Sequence, residues 1–337
     1  MKTLIYIGNK ANNNSKANLS SIDVLGPLFM QIGFKVYSAS SKKNIVFRLL
    51  DMLLVCFKHR KNANYVIIDT YSTLNFYYAF FVSQLCRVLK IPFIPILHGG
   101  NLPERIKKSP KLSKAIFHNA HVNIAPSLYI KSKFEAEGFK NIINISNSIE
   151  LNNYKFKPRT LSKVNLLWVR SFSKIYNPTL AIDILSGLKE RGIIASLCMV
   201  GPDSDGSLRK VQGYAKKMQV EVRFTGKLSK PEWIKLSEDY NIFINTTNFD
   251  NMPVSVIEAM ALGLPIVSTN VGGMPYLIDN HNNGLLVPPN SSKVFVEAIQ
   301  ELIEQPLKRQ QLIQNARLLA EKMDWKRIEK QWLKVLK

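Results

Sequence analysis

NFDNMPVSVIEAMALGLPIVSTNVGGMPYLIDNHNNGLLVPP, residues 248–289, is the stretch on which the reading of the fold turns. Met252-Pro253 opens a helix, since proline is tolerated in a first turn, and Gly263 with Pro265 closes it, so the spacing predicts a helix over Val254–Leu262. Val254, Val256, Ile257, Ala259, Met260 and Ala261 make that helix apolar almost all round, which predicts burial with Glu258 in its middle. A buried carboxylate needs hydrogen-bonding partners. The vicinal hydroxyls of a ribose would serve, and so would a core arginine or the end of a neighbouring helix. After the strand that follows comes Asn270-Val271-Gly272-Gly273, leading into another helix. Paired glycines there let backbone N–H groups approach an anion at the carboxyl end of a sheet, the way α/β proteins hold phosphate.

Outward from this stretch, short apolar runs alternate with amphipathic segments along most of the chain, the pattern of parallel strands covered by helices. The expected fold class is α/β. Strands are predicted at Thr3–Ile7, Lys35–Ser38, Tyr65–Ile68, Phe93–Leu97, His121–Ala125 and Ile142–Ile145, and again at Asn165–Val169, Ile194–Val200, Glu221–Phe224, Ile242–Asn245, Ile266–Ser268 and Leu285–Val287. Between the two sets, Glu150–Lys163 is polar, broken by Pro158 and without periodicity, and reads as a linker. Its position predicts domains at 1–157 and 158–323, with a C-terminal helix at about 324–337 that carries Trp325 and Trp332 and packs back on the first domain. The Asn-rich run at 8–21 reads as a flexible loop before a helix starting near Ser21.

The 337 residues exceed what one core usually supports, and 46% hydrophobic with 21% charged residues excludes a disordered or collagen-like chain. The 46 Lys and Arg against 24 Asp and Glu give a formal charge of +22, which calls for solvation or for an anionic partner. Two basic features stand out. One is Arg105–Lys114, and the other is Ile45–Phe57, an apolar helix followed by Lys58-His59-Arg60-Lys61 that suits either core packing or an anionic membrane surface. No run of 18 apolar residues occurs, and the first nine residues are too short for a signal-peptide core. Cys56, Cys86 and Cys198 are odd in number and set among apolar residues, as core thiols in a reducing compartment. A cytoplasmic location, peripheral at the inner face of the membrane if the basic helix binds lipid, is the expectation.

Asp250, seven further residues and Glu258, with Pro253 between them, then Glu258–Pro265 (EAMALGLP), Gly272-Gly273 and Gly284–Pro289, together resemble the retaining nucleotide-sugar glycosyltransferases of family 4. Weaker echoes at Ile124–Ser127, Asn147–Glu150, Val200–Pro202 and Val222–Gly226 extend the resemblance over the whole chain. It implies a GT-B fold, two Rossmann-like domains facing each other across a cleft, and a hexosyltransferase-type enzyme. The co-substrate would be a UDP- or GDP-type sugar, the acceptor a glycan or a lipid-linked glycan, and no nucleic acid is expected as partner. Carried over residue by residue, the resemblance implies catalytic roles for Asp250, His98 and Arg170. Donor binding would fall to Glu258, Gly272, Gly273, Lys174, Gly8, Met252 and Pro253. Arg170 would offset the charge of the leaving diphosphate, and His98 would face the donor sugar from the acceptor side. The implied chemistry is front-face substitution, in which the departing phosphate oxygen takes the acceptor's proton.

Three positions depart from the family pattern. Asp250 stands where glutamate is usual, Tyr276 replaces the usual Glu after the glycine pair, and the lysine expected five or six residues after Arg170 is displaced to Lys174. Asp203-Ser204-Asp205 has the DxD form of a metal site but lies in a Gly/Pro/Ser turn, so no metal and no other cofactor is expected. A nucleotide-sugar epimerase of GT-B-like fold and a catalytically weak basic binding protein are the alternatives. Abundant Asn, Lys and Ile suggest an AT-rich bacterial genome and, with the resemblance, surface polysaccharide synthesis.

Overall fold

The computed structural model describes residues 1–11 and 20–337; residues 12–19, most of the predicted Asn-rich loop, lie outside the described residues. The chain divides into two compact units, residues 1–146 with 329–337, and residues 147–328.

In the first unit β1 (Thr3–Ile7), β2 (Lys35–Ala39), β3 (Tyr65–Thr70), β4 (Phe93–Leu97), β5 (Asn123–Ala125) and β6 (Ile142–Asn144) form one parallel sheet in the order β2-β1-β3-β4-β5-β6. All five residues of β1 and of β4 are buried, because helices cover both faces and leave no wet side to demand alternation. The chain runs from β1 to β2 on one side and then crosses to β3 on the other, so the strand order reverses between β1 and β3. The helix Ser21–Gln31 is capped by Ser20 and Asp23, whose Oδ2 accepts from the Ser20 backbone N–H at 2.9 Å. Near the C-terminus, Trp332 sets its ring edge-on to Phe29 with centroids 5.1 Å apart, and Lys2 Nζ donates to the Leu336 carbonyl at 3.0 Å. These contacts tie Glu329–Lys337 into the first unit.

In the second unit β7 (Val164–Val169), β8 (Ala195–Val200), β9 (Arg223–Gly226), β10 (Ile242–Asn245), β11 (Ile266–Thr269) and β12 (Leu285–Val287) form a parallel sheet ordered β12-β11-β10-β7-β8-β9. Its order reverses between β7 and β10. In such sheets ligands bind outside the carboxyl ends of the strands at this reversal. Residues 147–157, partly read as linker from their composition, are bonded into this unit. Ile149 N–H donates to Met323 O at 3.0 Å, Asn147 Nδ2 to Met252 O at 2.8 Å and Lys157 N–H to Leu262 O at 3.3 Å.

Candidate functional site

Arg170 directly follows β7 and Asn245 ends β10, so both stand at the reversal point of the second sheet. Arg170 Nε donates to Asn245 Oδ1 at 3.4 Å, its Nη2 is ion-paired with Asp250 Oδ2, and the guanidinium lies over the Tyr176 ring at 4.7 Å. Burial pushes the guanidinium below its ordinary pKa while the Tyr176 phenol pushes it back up; an arginine stays charged in either case. Asp250 is held from its other side as well, Oδ1 accepting from the Asn251 N–H at 2.8 Å. A cation and an anion therefore sit side by side at the mouth of the sheet, each with bonding capacity left for a charged ligand.

The helix over Val254–Ala261 forms with Pro253 as the residue just before it, and Glu258 is 4% exposed in its middle. Glu258 Oε1 accepts from the Tyr154 hydroxyl at 2.7 Å and is ion-paired with Lys230 Nζ. Burial first, and then the charge of Glu258, raise the Tyr154 phenol far above its ordinary pKa, so it remains a donor. Both contacts fall on Oε1. The partners proposed from sequence were a ribose, a core arginine or the end of a neighbouring helix; the chain itself supplies a phenol and an ammonium.

Gly272 and Gly273 do something the sequence reading did not anticipate. A Cβ on Gly273 would lie 1.9 Å from the Asn251 carbonyl oxygen, and one on Gly272, whose φ is +54°, would lie 2.2 Å from the Asp250 carbonyl oxygen. Gly273 N–H donates to Asp250 O at 2.9 Å. The pair thus lets its loop press against the backbone that carries Asp250 and fixes that backbone, with the Gly273 amide already engaged. The helix that follows, Met274–Leu277, is a single short turn. Met252 is buried at 7% exposure, and its carbonyl accepts from Asn147 as described above.

Lys174 begins a 3-10 turn, Lys174–Tyr176, with its side chain exposed; it is the backbone that is held. Lys174 N–H and Ser173 Oγ both donate to Asp205 Oδ2 at 3.0 Å. Asp203 Oδ1 accepts from the Gly206 N–H at 2.9 Å, capping the turn. Asp205 thus fastens the turn after β8 to the segment after β7, while the Asp203 carboxylate bonds within the turn itself. Hydrogen bonds from Ser207 and from the Lys174 amide lower the Asp205 pKa to about 2.

The first unit carries a different cluster at its own reversal point. Asp69, in β3, is fully buried; its Oδ1 accepts from Tyr6 OH at 3.0 Å and faces His98 Nε2 at 2.8 Å. His98 Nδ1 lies 3.4 Å from Ser21 Oγ, and in a neutral imidazole that donates from Nε2 to Asp69 it would be the accepting nitrogen. Tyr71 stacks on the imidazole with centroids 5.5 Å apart. Gly8 follows β1 directly, and a Cβ there would lie 2.5 Å from Asp69 Oδ2, so the glycine makes room for the buried acid. Asp69, Tyr6, Tyr154 and Lys230 went unrecognised as site residues in the sequence. An aspartate inside the apolar strand YVIIDT was the one local signal.

Two parallel Rossmann-like sheets in one chain, each with polar chemistry at the carboxyl ends of its central strands, define the GT-B class of fold. The Anabaena HepE structure, in complex with UDP-glucose, superposes on this chain with a TM-score of 0.78 at 16% identity, covering 100% of this chain and 99% of that one. Residues 152–319, in the second unit, match the family model of glycosyl transferases group 1. An uncharacterized glycosyltransferase of Methanocaldococcus jannaschii is 25% identical over 326 residues, 89% of this chain and 86% of that protein. A putative teichuronic acid biosynthesis glycosyltransferase of Bacillus subtilis is 24% identical over 218 residues, 62% of this chain and 54% of its own length.

Proposed function

We propose that this glycosyltransferase is a retaining, metal-independent enzyme that moves a sugar from a UDP- or GDP-type donor to a glycan or lipid-linked acceptor, in bacterial surface polysaccharide synthesis. The observation that carries the reading is two acid–cation pairs, Arg170 with Asp250 and Glu258 with Lys230, in which Arg170, Asp250 and Glu258 lie on the segments that leave the central strands β7 and β10 and Lys230 follows the edge strand β9. A nucleotide diphosphate sugar matches that arrangement group by group. Its pentose hydroxyls would bond the free oxygen of Glu258, and its diphosphate would take the guanidinium of Arg170. Asp250, released from Arg170, would accept from the donor sugar's hydroxyls. UDP-glucose in the HepE structure supports a donor of this class.

In the proposed step the bond from the anomeric carbon to the phosphate oxygen breaks. The acceptor oxygen forms its bond on the same face, and the departing phosphate oxygen takes the acceptor's proton. Arg170 stabilises the charge that builds on the phosphate, an electrostatic contribution that exists before the reaction and needs no reorganisation. His98, with its tautomer set by Asp69, would accept a hydrogen bond from a sugar or acceptor hydroxyl through Nδ1. The engagement of Asp203 and Asp205 in turn-capping supports a mechanism without a metal on the DxD pair.

A panel of nucleotide sugars, with and without glycan acceptors and with chelator in one arm, tests this. The expected result is acceptor-dependent release of UDP or GDP, an unchanged anomeric configuration in the product and no effect of chelator. Epimerised donor without acceptor would support the epimerase reading, and tight nucleotide binding without turnover would support the binding protein.

A further inference from the structure

We propose that the outer face of the paired helices Ile45–His59 and Asn75–Val88 in the first unit is a docking surface for an anionic lipid bilayer. The first of these helices is apolar on two faces. Met52 and Cys56 are fully buried in the core, yet Phe47, Leu50, Leu54 and Phe57, spaced three, four and three residues apart, form a second stripe that is 65%, 49%, 64% and 50% exposed. A helix of an isolated domain needs one apolar stripe, and a second one marks a surface that is covered in use. The neighbouring helix extends the patch with Tyr77 and Phe81, 41% and 47% exposed, and Arg48 Nη2 joins the two helices by donating to Asn75 Oδ1 at 3.4 Å.

Charge selects the occupant. Lys42 and Lys43 precede the stripe, and Lys58, Arg60 and Lys61 follow it, while Asp51 is the one acid between them. The Arg60 guanidinium lies over the Phe57 ring at 3.9 Å, so a cation sits at the margin of the apolar surface. The helix Pro110–Phe117, packed beside Asn75–Val88, adds exposed Lys111 and Lys114. A second copy of this face would bring like charges together at both ends of the stripe, whereas anionic headgroups neutralise them. Fifteen helical residues laid flat span about 22 Å, and the lysine stems reach past the aromatic rings to headgroup level. No helix among the described residues is long and apolar enough to cross a membrane, so the contact is a lateral one.

The test is co-sedimentation of the full chain with vesicles of phosphatidylcholine alone and of phosphatidylcholine mixed with phosphatidylglycerol, at low and high salt. Two variants go alongside: Phe47→Ser/Leu54→Ser/Phe57→Ser and Lys58→Glu/Lys61→Glu. The wild type is expected to bind the anionic vesicles and to leave neutral ones in the supernatant. Each variant should weaken binding by about tenfold or more while keeping the wild-type melting temperature, since the altered side chains are exposed. High salt should weaken the wild type but leave a residue of binding that the serine variant lacks, the share contributed by apolar insertion. No binding to either vesicle, equal binding to both, or binding indifferent to both variants would overturn the proposal. So would a concentration-dependent dimer in sedimentation velocity that the serine variant abolishes.

Discussion

Both units present acidic side chains at the carboxyl ends of a six-stranded parallel sheet, but they hold them in different ways. In the second unit the acids face cations still within reach of water. The Lys230 side chain is 41% exposed against 5% for Glu258, and Arg170 and Asp250 are 14% and 15% exposed. Such partners can be exchanged when a ligand brings its own charges and hydroxyls. Asp69 in the first unit is fully buried, and its partners Tyr6 and His98 are fixed members of the wall around it. One arrangement leaves an opening for a ligand; the other aligns a single imidazole.

That contrast can be broken from either side. Arg170→Ala should cost the most, lowering the turnover number by ~100- to 1000-fold, as loss of a preorganised charge at a developing anion does. Arg170→Lys should recover only part of it, because an ammonium lacks the bidentate fork. Steady-state kinetics on the preferred donor would measure both. Asp69→Asn should act on the other unit: transfer falls by up to ~100-fold through misplacement of His98, while UDP affinity stays at the wild-type value. The imidazole nitrogen signals should report loss of the single Nε2–H tautomer. Unchanged nitrogen signals would reduce Asp69 to a packing role.

The smallest effect belongs to Asp205. Its folded pKa of about 2 lies below the usual carboxylate value of 3.8, so its contribution to stability is present above pH ~4 and is lost as pH falls towards 2. Asp205→Asn should flatten that acid limb of the melting-temperature profile and leave stability near neutrality almost unchanged, because the carboxylate is exposed to solvent. A steep loss at pH 7 would show that the turn it fastens matters more than its charge.

Much of the architecture was legible in advance. All twelve strands form where they were predicted, with ends differing by no more than two residues; the central strands, buried on both faces, leave a continuous apolar signature, whereas the edge strands β2 and β9 are only partly buried. The helix around Glu258 was legible for a similar reason: an acid in an otherwise apolar helix must be buried. Its partners were not. Tyr154 and Lys230 lie 104 and 28 residues away from it in the chain, and nothing in their local sequence marks them as neighbours. The glycine pair was read as a loop whose backbone N–H groups approach an anion, but its packing against Asp250 and Asn251 depends on a neighbouring segment that spacing does not reveal. The DxD turn was correctly placed in a loop, while its hydrogen bonds to Ser173 and Lys174 depended on the pairing of β7 with β8.

Titration calorimetry of UDP against the wild-type chain and against Glu258→Ala tests the central claim most directly. Saturable binding by the wild type, with the dissociation constant raised about tenfold or more in the variant, is the expected result. A wild-type chain that binds neither UDP, GDP nor ADP, or a variant that binds UDP as tightly as the wild type does, would contradict a donor site built on this buried carboxylate.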